Sequence, residues 1–465
     1  MHFFKDDNPE EKYTAMITQP VSRLIPSLAI PTVTSMLVSS IYNMADTYFV
    51  SQLGTSASAA VGIVFSLMSI IQAIGFMLGM GAGSLISRKL GEKDAAAANK
   101  YASSAFAAAF VLGTLLTIFG LLFIDNLMEK LGSSPSILPY ARDYARYILI
   151  GAPIMACAFV MNNVLRAEGH AQFSMIALTS GGIINMFLDP IFIFAFKLGT
   201  AGAAIATLIS QCISFAIFMQ FFMRRKGIVN LHISYVSRTA RDYFNIITTG
   251  LPSFSRQGLA SVSTVILNKQ AILYGDAAVA GISIARRIIL LLASVMIGIG
   301  QGFTPVAGYN YGAKKYGRVK QAYWFTVKCG AAILFIAAVI LFVCATHIIA
   351  AFRDDIDVIK IGVATLRFEA LSLPLHGIIT GTNMLMQATG KKIQATFLSC
   401  NRQGIYFIPL IMLLPIFFGL TGIESAQAGA DVLSALTTIP YVAHFMKELS
   451  QRKNAETSSQ QVTSS

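Results

Sequence analysis

Residues 60–86 read AVGIVFSLMSIIQAIGFMLGMGAGSLI, a run without one charged side chain. As a helix rising about 1.5 Å per residue it is about 40 Å long, more than the ~30 Å hydrocarbon core of a bilayer. A water-facing helix would carry a charged stripe, and this one has none. Comparable stretches occur at roughly 24–50, 102–124, 143–166, 171–196, 201–223, 243–274, 278–305, 322–348, 358–387, 393–418 and 421–446. The chain therefore reads as an all-α polytopic membrane protein with twelve transmembrane helices. Turn-forming residues separate the runs, among them Gly54, Gly91, Gly132-Ser133-Ser134-Pro135, Gly169, Gly199, Gly275, Gly312, Gly390 and Gly419.

Composition agrees. Of 465 residues, 55% are apolar and 12% charged, with a mean hydropathy of +0.64. A soluble protein carries about 25% charged residues. Disordered, fibrous, disulfide-stapled and cytosolic-enzyme classes are excluded on this ground. The net charge of +13 would suggest nucleic acid in a soluble chain. Here it sorts by side. The N-terminus, the even-numbered loops and the C-terminal tail hold 22 Lys and Arg, the opposite loops 5. By the positive-inside rule both termini are cytoplasmic, and nucleic acid is not a partner. The N-terminus mixes both charge signs before a run too long for a signal peptide. Cys157, Cys212, Cys329, Cys344 and Cys400 lie in or beside apolar runs and read as small buried hydrophobes.

The chain repeats itself at a constant offset of 221. Pro31 maps on Pro252, Gly54 on Gly275, Gly79 and Gly81 on Gly300 and Gly302, and Gly91 and Lys93 on Gly312 and Lys314. Pro153 maps on Pro374, Asn162 on Asn383, and Ala167 and Gly169 on Ala388 and Gly390. Six helices per repeat is an even number, so both halves enter the membrane from the same side. They are expected as two six-helix lobes related by a pseudo-twofold axis along the membrane normal. The resulting division is a cytoplasmic N-terminus (1–23), an N-lobe (24–223), a cytoplasmic linker (224–242), a C-lobe (243–446) and a cytoplasmic tail (447–465) whose end is expected to be disordered. Two lobes with a seam suit alternating access; a non-transporting membrane scaffold is the alternative from a different class.

Ionisable groups inside spanning helices are costly, so each is a site hypothesis. Asp46 lies on helix 1 and Asp189 on helix 5, where Asn185 shares its face one turn earlier. Pro190 cannot donate to the carbonyl of Met186, so the helix should kink there. Counting about 1.5 Å per residue puts Asp46, Asp189 and Thr207 within roughly 10 Å of the outer surface, with Tyr144 at the same level. Carboxylate, amide and hydroxyl oxygens suit Na+, and a carboxylate alone suits a proton. The predicted cation-coupling set is Asp46, Asn185, Asp189, Thr207 and Tyr144, the first four as a Na+ site. Tyr42, Asn43, Asn162, Arg256 and Arg402 are candidates for a substrate cavity. In the second half, positions 46 and 189 map on Leu267 and Leu410, so coupling chemistry is expected in the N-lobe alone. There is no Walker loop, no H-E-x-x-H, and no Gly-x-Gly-Asp context for an intramembrane aspartyl protease. The chain reads as no enzyme, with no cofactor beyond H+ or Na+ as coupling ion.

These motifs resemble the multidrug and toxic compound extrusion (MATE) family, most closely its DinF-like branch and the bacterial MepA-type pumps. The resemblance rests on Asn43-Met-Ala-Asp46-Thr-Tyr-Phe-Val50, Gly79-Met-Gly81, Arg88-Lys-Leu-Gly91, Arg166-Ala-Glu-Gly169 and Asn185-Met-Phe-Leu-Asp189-Pro190. It implies efflux of cationic or amphipathic drugs in exchange for Na+ or H+. It also implies a cation site at Asp46, Asn185, Asp189, Thr207 and Tyr144. The NorM-like branch uses a helix 7 carboxylate, and no acid occurs here between Pro252 and Tyr274. The implied protein is a monomer of the cell (inner) membrane. A lipid-linked precursor flippase of the same superfamily is the second transport reading, kept open by Arg256 and Arg402.

Overall fold

The structure is a computed structural model describing residues 9–224 and 227–464, with side chains through Ala455. The first eight residues, Arg225 and Lys226 of the linker, and Ser465 lie outside the described residues. The described chain is helical throughout, without a strand. In order, its helices are α1 (Pro9–Thr18), α2 (Val21–Ser51), α3 (Thr55–Gly91), α4 (Ala95–Leu122), α5 (Ile124–Lys130), α6 (Leu138–Ala167), α7 (Ala171–Pro190) and α8 (Gly199–Met223). There follow α9 (Ala240–Ala271), α10 (Asp276–Gly312), α11 (Tyr316–Ala350), α12 (Ile356–Ser372), α13 (His376–Ala388), α14 (Lys392–Cys400), α15 (Phe407–Phe418) and α16 (Leu420–Ser464).

Among the described residues, nine helical segments are long and apolar enough to cross a membrane. The three expected spans that fall short are α9, the α12–α13 pair and α16. Each is diluted by polar residues, and the α12–α13 pair is broken by a 3-10 turn at Leu373–Leu375 around Pro374. Their repeat partners α2, α6 and α8 do qualify. That completes twelve spanning helices in two sets of six.

The offset of 221 governs backbone geometry as well as sequence. The starts of α3 and α10, α4 and α11, α7 and α14, and α8 and α16 all differ by 221. Gly54 (φ 115°) and Gly275 (φ 94°) open α3 and α10 in a region closed to other residues. After each of these helices a lysine, Lys93 (φ 60°) or Lys314 (φ 59°), adopts the left-handed conformation. The amides of Asp94 and Lys315 then close the same turn onto the carbonyls of Lys89 and Asn310, at 2.9 and 2.8 Å.

Two compact units result. One holds Thr34–Phe254 and the N-terminal segment through Tyr13; the other holds Thr14–Val33 and Ser255–Ser465. In the first, α6 is the most enclosed span, with α3, α4 and α8 packed on it. Small residues allow the close approach: a Cβ on Gly113 would meet Pro153 Cα at 2.5 Å, and one on Gly79 would meet Asn163 Nδ2 at 2.6 Å. In the second unit α10 packs on α11, α12 and α13, and α15 on α16.

Two boundaries depart from the sequence reading. A short helix, α1, precedes the first span inside the segment expected to be a plain cytoplasmic N-terminus. At the other end α16 runs on to Ser464, where a disordered tail was expected. After Pro440 the sequence holds no proline or glycine, and extending an existing helix needs no new nucleus.

Candidate cation site in the first unit

Four helices of the first unit bring the predicted coupling residues together. Tyr42 of α2 packs on Gly182 of α7, where an added Cβ would lie 3.0 Å from the ring. One turn further along each helix come Asp46 and Asn185. Tyr144 of α6, fully buried, donates its hydroxyl to Asp46 Oδ2 at 3.3 Å. Asn185 Nδ2 donates to Asp189 Oδ1 at 3.1 Å and to Thr207 Oγ1 of α8 at 3.4 Å. Asp46 is 9% exposed, and Asp189, Asn185 and Thr207 are 0%, 2% and 4%.

Three oxygens in this cluster stay unpaired among the described residues: Asp46 Oδ1, Asn185 Oδ1 and Asp189 Oδ2. A buried acceptor without a donor costs about 1–3 kcal/mol, more when charged. The cluster is rich in acceptors and poor in donors, which is the arrangement a small cation or a proton completes. Among the described residues no basic side chain pairs with either acid.

The expected kink at Pro190 takes the form of a π-helical turn, Ile191–Ala195, that begins directly after the proline. Phe196 N reaches back five residues to Ile191 O at 2.9 Å. Proline's missing N–H breaks the regular ladder, and the wider turn re-forms it. A Cβ on Gly202 would meet Phe192 O at 2.6 Å, so α8 lies tight against this turn.

The substrate-cavity candidates scatter. Asn43 engages its amide with Ser39 O at 2.8 Å, within its own helix. Asn162 is buried in the α6–α7 contact, where Ser174 donates to it, and stands about 27 Å along α6 from Tyr144. Its repeat mate Asn383 does the same work, donating to Ala395 O and Ser399 Oγ at 2.7 Å each. Arg256 is partly buried in the second unit with Nη1 unpaired among the described residues. Arg402 is already engaged, its Nε donating to Asp431 Oδ1 at 2.7 Å.

Asp431 is the ionisable residue the sequence reading passed over. It is 1% exposed on α16 and accepts from Ser372 (3.1 Å), His376 (2.9 Å) and Gln427 (3.0 Å) as well as Arg402. Buried acids are therefore not confined to the first unit. This one is saturated with donors, whereas Asp46 and Asp189 are not.

An all-helical chain of two repeated six-helix sets, with unsaturated acids enclosed in one of them, is a membrane transporter by class. The MatE family pattern matches residues 31–191 and again 252–413, once per repeat. The chain belongs to that family. It is 28% identical over 421 residues to multidrug export protein MepA of Staphylococcus aureus (strain MSSA476), covering 90% of this chain and 93% of that protein. With MepA of Staphylococcus saprophyticus it shares 27% over 412 residues, 88% and 91% of the two chains. Among solved structures, the outward-facing conformation of a multidrug resistance MATE family transporter of the MOP superfamily superposes with a TM-score of 0.90 at 27% identity, covering 95% and 99%. A MOP superfamily transporter from Pyrococcus furiosus gives 0.89 at 27%, covering 94% and 99%.

Proposed function

We propose that this protein is a multidrug efflux antiporter that exchanges cationic or amphipathic compounds for H+ or Na+ across the cell membrane, with both termini cytoplasmic. The observation that carries the coupling is the set of unpaired oxygens on Asp46, Asn185 and Asp189, buried and without a basic partner among the described residues. The multidrug export proteins among its relatives support the efflux.

An entering cation is held by Asp189 Oδ2, Asp46 Oδ1 and Asn185 Oδ1, with Tyr144 and Asn185 steadying the other carboxylate oxygens. Neutralising the acids removes their attraction for a cationic drug, which leaves outward. Release of the ion inside restores the charge and resets the pump. Every net positive charge carried inward gains about 2.3 kcal/mol per 100 mV, about 50-fold in the drug gradient it can sustain. Pro190 and its π-helical turn give α7 a natural point of adjustment beside Asp189.

The flippase alternative drew on Arg256 and Arg402 as a cationic lining. The ion pair of Arg402 with Asp431 weighs against that role for one of the two. The test is drug uptake into proteoliposomes with sodium and pH gradients imposed separately. Uptake driven by one of the two gradients supports antiport; uptake driven by neither contradicts it.

A further inference from the structure

The internal repeat draws attention to the start of α11, where the residues differ in chemistry from those at the start of α4. In the first unit the start of α4 is covered by the protein's own linker. Asn99 Oδ1 accepts from Asn230 N at 2.8 Å, and Ser103 Oγ accepts from His232 N at 3.2 Å and donates to Asn230 O at 3.5 Å. Ser104 Oγ accepts from Ser237 N at 2.8 Å. Adding 221 carries Asn99, Ser103 and Ala107 onto Lys320, Trp324 and Lys328 of α11. These three share a helix face at i, i+4 and i+8, and all are exposed. By the same offset the linker's counterpart in the second unit is the end of α16, and between it and the start of α11 lies a cavity of about 520 Å³.

The cavity is basic and amphipathic. Its far wall carries Ser450 and Lys453, and Lys320 Nζ donates to Ser450 Oγ at 3.4 Å. Gly317 opposite leaves room for the Lys453 stem, whose Cδ lies 3.6 Å from where a Cβ would stand. Among the described residues no acid lines the cavity. The nearby Glu448 is held by Lys391 at 2.9 Å and by Arg452 at 2.8 Å. Trp324 is the protein's single tryptophan, a residue type enriched at membrane interfaces. Lys328 lies about 18 Å along α11 from Tyr316, deep enough that its stem follows apolar surface back towards the headgroups.

We propose that this cavity binds the phosphodiester headgroup of an anionic phospholipid of the cytoplasmic leaflet. The lysines carry the phosphate and Trp324 packs on the upper acyl chain. The leaflet assignment rests on the orientation proposed above; the lipid site itself does not depend on antiport.

The lone tryptophan makes the test site-specific. The full-length protein is reconstituted with brominated phosphatidylglycerol or brominated phosphatidylcholine, and quenching of Trp324 fluorescence is titrated. Phosphatidylglycerol is expected to quench at the lower mole fraction. Removing an interfacial lysine costs about fivefold in affinity, so K320Q/K328Q should lose about 25-fold of the preference. Equal quenching by the two lipids, or a preference unchanged in the double variant, overturns the proposal. So does reversal by inorganic phosphate, which would define a soluble-anion site. An error in orientation shows separately, as labelling of Lys314→Cys by an impermeant thiol reagent from outside intact cells.

Discussion

Replacing Asp189 with Asn removes one charge and almost no volume. The residue is fully enclosed and receives one hydrogen bond, from Asn185 Nδ2 at 3.1 Å. The amide oxygen introduced by D189N can accept that bond in place of Oδ1, and the unpaired charged oxygen is lost, so the folded state should be at least as stable as the parent. The loss falls on the cation. Two unit charges 4 Å apart in an effective dielectric of about 20 interact by about 4 kcal/mol, about a thousandfold in affinity. Asp46 remains, so the site keeps one carboxylate but loses the one that Asn185 positions. Expression should match the parent and the melting temperature should be equal or higher. Gradient-driven drug uptake in proteoliposomes should fall at least a hundredfold, and downhill drug exchange should persist. A D189N protein that still concentrates drug at the parental rate under the same gradient would refute the reasoning.

Three further outcomes follow from particular contacts. Asp431→Asn leaves Arg402 beside a neutral partner and should destabilise the second unit by about 3–5 kcal/mol, with R402Q/D431N recovering part of the loss in a thermal melt. Gly113→Ala forces a methyl onto the Pro153 backbone and should cost at least about 1–3 kcal/mol, whereas Gly62→Ala, with open space at its Cβ, should be neutral or stabilising by about 0.5–1 kcal/mol. Glu168, at the end of α6, accepts from the amides of Ile228 and Val229 at 2.8 and 3.2 Å, and burial pushes its carboxyl up to about 7. A carboxyl raised on folding contributes stability at low pH that is lost as pH rises through about 7. Melting temperature should therefore decline between about pH 5 and pH 8 in the parent and decline less in Glu168→Gln.

The spans were legible because a bilayer demands length and low charge, and both are visible residue by residue. The spans 243–274 and 421–446 were placed the same way, although the structure's helices there, α9 and α16, are the more polar ones. Asp46, Asn185, Asp189, Thr207 and Tyr144 stand out in the sequence by type and depth, and in the structure Tyr144 bonds Asp46 while Asn185 bonds Asp189 and Thr207. Asp431 was missed because its neutrality is made across space. Only Gln427, four residues earlier on α16, is local; the other donors come from α12, α13 and the π-helical turn Asn401–Tyr406, and no one-dimensional spacing reports those. The partner of Asn162, Ser174 on the next helix, is likewise not visible in the sequence. The extension of α16 was hidden because a polar composition signals solubility and does not forbid a helix that is already running.

The most direct measurement is drug affinity of the purified protein in nanodiscs, titrated with Na+ at fixed pH and with H+ at fixed low Na+. The account predicts that one of these cations weakens drug binding at least tenfold in the parent, and that the effect vanishes when Asp46 and Asp189 are both replaced by Asn. Drug binding indifferent to both cations, or a linkage surviving the double substitution, would contradict it.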